Sequence, residues 1–156
     1  MTDQDFLRQA VELSRRGMED GAGGPFGAVI VLDGRIVGEG WNRVTSANDP
    51  TAHAEVVAIR DACARLGRFD LHGAVIYSSC EPCPMCLSAI HWARLDRLVY
   101  ANNRYDAAAI GFDDALIYEQ VMLPPDARIL PCHHLPLPEA RSVFQDWLTK
   151  PDRVPY

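Results

Sequence analysis

Two short patterns constrain this chain of 156 residues more than anything else in it: His53-Ala54-Glu55 and Pro82-Cys83-Pro84-Met85-Cys86. One imidazole and two thiolates make three protein ligands for a zinc ion. The fourth tetrahedral position then stays open for water, as a catalytic zinc requires. His53 and Glu55 are two residues apart and would point to nearly opposite sides of a regular helix. Both face one ion only from an irregular first turn, and Asn48-Asp49-Pro50-Thr51 supplies a helix start before them. Val56, Ile59, Cys63 and Leu66 then recur at helical intervals. Cys83 and Cys86 stand at the head of a second helical run, with Pro84 suited to the first helical position and the positive end of the helix dipole favouring thiolates. The spacing predicts two helix N-termini converging on one metal.

Each residue in such a site has a chemical role. Zinc lowers the pKa of bound water to about 7, and Glu55, which is not needed as a ligand, is placed to take up and deliver protons. A backbone N–H beside the metal suits the charge that develops on the substrate. A competing arrangement stays open here: Cys80 precedes Cys83 by three, so Cys80, Cys83, Cys86 and His53 also satisfy a closed structural Cys3His site, although that site has no use for Glu55.

The length fits one domain, residues 1–156, with enough chain for a core. The first residues, Met1-Thr2-Asp3-Gln4-Asp5, are polar and acidic, and no apolar run approaches a membrane span, so a cytoplasmic protein without membrane contact is expected. Five cysteines without a spaced framework agree with a reducing compartment. Fifteen basic against 21 acidic residues leave a net charge of −6, and no basic run exceeds Arg15-Arg16. A small-molecule substrate is therefore expected, and no nucleic-acid partner.

Phe6, Ala10, Leu13 and Met18 mark an amphipathic first helix ended by Gly21-Ala22-Gly23-Gly24-Pro25. Phe26 to Leu32 reads as a strand, Asp33-Gly34 as a hairpin turn and Arg35 to Trp41 as the returning strand. Further strands are expected at 74–79 and 97–101. Two short helices bent at Gly111 follow, then a short last strand at Ile129-Leu130, a terminal helix from Glu139 to Leu148 and an extended tail. The alternation predicts an α/β fold: a three-layer α/β/α sandwich around a mixed sheet.

With these residues in place the chain resembles the cytidine-deaminase-like superfamily, whose motifs are matched by 53–55 and 82–86. Within it, Ser79-Cys80-Glu81 before the cysteine motif, Ile90-His91-Trp92-Ala93-Arg94, and Gly111-Phe112-Asp113-Asp114 with Ile117-Tyr118 resemble the small bacterial guanine deaminases. The resemblance implies a five-stranded sheet, one zinc per subunit on His53, Cys83 and Cys86, and Glu55 as proton shuttle. It implies that Asn42 and a backbone group at Ala54 hold a purine enclosed by Phe26 and Trp92. A second acid, Asp114 or in competition Glu119, is expected to handle ammonia release. It further implies a homodimer whose C-terminal tail, residues 150–156, is exchanged so that Tyr156 lines the partner's pocket.

Plainer roles compete with several of these. Phe26 and Trp92 suit core packing, Asp114 suits helix capping and Asn42 suits a turn. His72, His91, His133, His134, Cys63 and Cys132 have no partner spacing and are read as structural or surface residues. The rival activities are deamination of guanosine, cytosine or an aminotriazine, deamination of adenosine in tRNA, and a zinc-binding module without catalysis.

Overall fold

Thr2 opens the first helix, α1 (Asp3–Glu19), with a capping box: its hydroxyl takes the Asp5 N–H while the Asp5 carboxylate takes the Thr2 N–H. The structure, a computed structural model, describes residues 1–156 and divides into two compact units, Met1–Asp114 and Ala115–Tyr156.

In the first unit, β1 (Gly27–Leu32) and β2 (Arg35–Trp41) form an antiparallel hairpin. Asp33 and Gly34 both adopt positive φ, 51° and 74°, the backbone that matches hairpin twist. A short helix, α2 (Val44–Ala47), leads to α3 (Ala54–Leu66), which Gly67 ends in the left-handed conformation. Then come β3 (Val75–Cys80), α4 (Pro84–Trp92), β4 (Arg97–Asn102) and α5 (Arg104–Ala109). The sheet order is β2-β1-β3-β4, antiparallel except for the parallel β3–β4 pair.

Strand alternation splits the core across the two faces of this mixed sheet. Ala28, Ile30 and Ile76 pack with Ala54, Ala58 and Ala62 of α3 and with Ile90 of α4. Val29, Val31 and Tyr77 pack with Phe6 and Leu13 of α1. Glycine sets how closely α3 approaches the sheet. A Cβ on Gly40 would stand 2.2 Å from the Ala54 carbonyl oxygen, so α3 rests on β2 at backbone contact and the start of the helix, with His53 and Glu55, is held at a defined height.

The second unit carries α6 (Ala115–Val121), a 3-10 turn at Pro125–Ala127 and α7 (Pro138–Thr149), and none of its residues is buried. The sheet has four strands where the resemblance implies five. Ile129-Leu130, expected from sequence to be a last strand, forms none: the Ile129 N–H is spent on the Gln120 side-chain oxygen at 2.7 Å, and Pro131 next in sequence brings no N–H to a ladder. No helix is long and apolar enough to cross a membrane.

Candidate metal centre

His53 is the N-cap of α3 and Cys83 the N-cap of α4, both with extended backbone and neither closing its helix by a side-chain bond. Pro84 occupies the first turn of α4 and Cys86 lies within the same turn. The three donor atoms lie within 4.8 Å of one another, and both sulfurs stand 3.5 Å from His53 Nδ1. A tetrahedral zinc with ordinary Zn–N and Zn–S bonds places N and S about 3.6 Å apart. The donor set therefore fits zinc in chemistry and in spacing, with Nδ1 as the ligating nitrogen.

Without an ion these groups lean on each other. The Cys86 thiol donates to Cys83, and this bond, helped by His53 and opposed by burial, pulls the Cys83 thiol down to about 4. The same bond raises the Cys86 thiol, with burial adding to it, and the hydrogen bond with Cys83 raises the His53 imidazole. One negative sulfur beside an imidazole, at two helix N-termini, is a site arranged for a cation.

Glu55, second residue of α3, is buried beside the ligands, and burial raises its carboxyl above the usual range. It accepts a hydrogen bond from the Ser78 hydroxyl at 3.3 Å. Cys80 stands apart. Its thiol donates to the Asn103 carbonyl at 3.6 Å and burial raises it to about 11, so it does not close a structural Cys3His site.

Asn42, the residue after β2, is buried, 6 % exposed, and its Oδ1 accepts from Gly24 N–H at 3.2 Å and Val44 N–H at 3.1 Å. The turn role read from sequence is thus present, and it leaves the Nδ2 hydrogens as the donors the side chain has to offer. Gly23 makes room for this: a Cβ there would meet Asn42 Oδ1 at 2.2 Å. Ala54 is fully buried, its methyl in the core, and its N–H belongs to the first helical turn, which has no intrahelical acceptor. Phe26 is half-buried and meets Phe112 edge to face, ring centres 4.9 Å apart. No local pattern in the sequence points to this partnership; only the fold pairs Phe112 with Phe26. Asp114 is half-buried, and burial raises its carboxyl, with negative charge at Cys83 adding to the shift. Trp92 closes α4 at the end away from Cys83, about 13 Å along the helix, and is 62 % exposed. Glu119, on α6, and Tyr156 belong to the second unit and are exposed.

Fold and ligand set define a class, and comparison agrees with it. Residues 1–102 match the family described as cytidine and deoxycytidylate deaminase zinc-binding region, and the chain belongs to that family. Among curated relatives, guanine deaminase of Bacillus subtilis (strain 168) is 52 % identical over 147 residues, 94 % of each chain. The tRNA-specific adenosine deaminase of Haemophilus influenzae is 41 % identical over 118 residues, 72 % of this chain and 68 % of that one. Among solved structures, the X-ray structure of guanine deaminase from Bacillus subtilis superposes with a TM-score of 0.98 at 50 % identity, covering 100 % of this chain and 99 % of the other.

Proposed function

We propose that the protein is a zinc-dependent aminohydrolase that converts guanine and water to xanthine and ammonia. The observation that carries this reading is the open donor triangle of His53, Cys83 and Cys86 with a buried carboxylate beside it, on a chain similar over nearly its whole length to a guanine deaminase. Zinc supplies Lewis acidity that brings the pKa of a water to about 7.

The chain's own residues do the rest. Glu55 takes the proton from the attacking water and delivers it to the ring nitrogen beside the carbon that bears the amino group. The Asn42 Nδ2 hydrogens and the Ala54 N–H read the purine edge, and a site built on such bonds rejects analogues that leave them unpaired. Phe26, backed by Phe112, forms an aromatic wall; Trp92 is assigned to the same enclosure, and its exposure fits a pocket completed by a second subunit. Asp114, whose carboxyl burial raises, is assigned as the second proton carrier, with Glu119 as the competing group. We read residues 1–156 as one deaminase domain in a cytoplasmic homodimer, with 150–156 exchanged between subunits and Tyr156 closing the partner's pocket.

The identity to tRNA-specific adenosine deaminases supports a second reading, deamination of adenosine in tRNA. The net charge of −6, with no basic run longer than Arg15-Arg16, weighs against such a substrate. Ammonia release measured on guanine, guanosine, adenine, cytosine, an aminotriazine and tRNA decides between them. Turnover led by guanine is expected; turnover confined to tRNA overturns the proposal.

A further inference from the structure

Ser78 and Ser79 are adjacent serines in β3, and neighbouring residues in a strand face opposite sides. Ser79 serves the fold, because its Oγ accepts the Gly27 N–H at 3.0 Å. Ser78 is 2 % exposed and faces α3, where its hydroxyl donates to Glu55 Oε1 at 3.3 Å. Burying a hydroxyl costs free energy unless it finds a partner, and alanine or valine would fill this strand position without that cost. The site instead directs a hydroxyl to the Glu55 carboxylate beside the metal ligands.

We infer that Ser78 is a positioning residue that holds the Glu55 carboxyl in the rotamer that faces the reacting water. The inference rests on the assignment of Glu55 to proton transfer. Ser78 sits on the central strand β3, hydrogen-bonded to a neighbour on both sides, with Ala28 opposite on β1 and Tyr100 on β4. Its Oγ is therefore a fixed point, whereas Glu55 carries several rotatable bonds at the head of a helix. A hydroxyl also donates or accepts, so the contact survives when the carboxyl carries a proton. Tying Oε1 to the sheet restricts how far the carboxyl can rotate.

The test uses the full-length zinc protein with Ser78→Ala and Ser78→Thr, reading kcat, KM, zinc per chain and the crystallographic position of Glu55. Expected for Ser78→Ala is a fall in kcat of about tenfold, the scale of one lost hydrogen bond to a charged group, with KM and zinc unchanged and the Glu55 carboxyl rotated. Ser78→Thr keeps the hydroxyl and should recover most of the rate. A Ser78→Ala enzyme with unchanged kcat, or one whose loss of rate is matched by an equal loss of zinc, overturns the inference. Should Ser78→Ala not fold, Ser78→Cys, near in size and a weaker donor, takes its place under the same two outcomes. A wild-type protein inert towards guanine would refute the proposed substrate only; the Glu55 rotamer, and the rate on whichever base is accepted, still decide Ser78.

Discussion

Four helices of the first unit begin in two different ways. α1 and α5 open with complete capping boxes, Thr2 with Asp5 and Asn103 with Asp106, so their first N–H groups are satisfied from within the chain. α3 and α4 open on His53 and Cys83, and neither side chain caps its helix. A cap is typically worth about 1 kcal/mol. At α3 and α4 that stabilisation is given up, the N-cap side chains turn to a metal, and the free N–H groups and helix dipoles stay available to negative sulfur and substrate. Of these four helices the two at the ligand cluster start open and the two away from it start closed; the single-turn α2, with Arg43 as an uncapped start, belongs to neither pair.

The comparison breaks most visibly at an open start. Cys83→Ala should remove zinc and all measurable deamination and lower the thermal midpoint, because the ion joins two helix N-termini. Cys80→Ala should keep both zinc and activity, and a Cys80→Ala protein without zinc would restore the structural Cys3His reading. Glu55→Gln should keep zinc by metal analysis while kcat falls by about 10²–10⁴-fold; loss of zinc in that variant would make Glu55 a ligand. At a closed start the effect changes in kind. Asn103→Ala should cost about 1 kcal/mol in urea unfolding with zinc and kcat near wild type, and a larger loss of rate than of stability would blur the distinction between the two sets of helices.

The smallest effect concerns the first turn of α1. Asp3 takes both Arg97 nitrogens, at 2.8 and 3.0 Å, and the Tyr77 hydroxyl at 2.7 Å, which together lower its carboxyl from 3.8 to about 2. A depressed carboxyl stabilises the fold fully above 3.8, and that contribution disappears as pH falls through about 2. The difference in thermal midpoint between wild type and Asp3→Asn should therefore be constant above that window and shrink within it. A difference independent of pH would mean that the contact acts without its charge.

The legible part of the site is the part written in adjacent residues. His53 at an N-cap with Glu55 in the first turn, and Cys83 before Pro84 with Cys86 three residues on, follow from helix geometry over a few residues. The hairpin at Asp33-Gly34, the bend at Gly111 and the terminal helix are legible for the same reason. A fifth strand at Ile129-Leu130 is suggested by apolar character alone, which does not reveal that the Gln120 side chain takes the backbone N–H. The small helix α2 is invisible in the sequence because four residues carry too little periodicity.

By itself, then, the sequence determined the ligand types, their placement at helix starts and the carboxylate beside them, since each depends on contacts within one or two turns. Only the tertiary structure decided that Cys80 faces Asn103 and not the metal, that Ser78 reaches Glu55, that Asn42 Oδ1 takes the N–H groups of Gly24 and Val44, and that Phe26 meets Phe112. These depend on the register of β3 against β1 and β4, and on the close fit of α3 over Gly38 and Gly40. A register is set by the packing of whole elements against each other. A shift of one residue would turn Ser78 to the other face of the sheet and leave the local sequence unchanged.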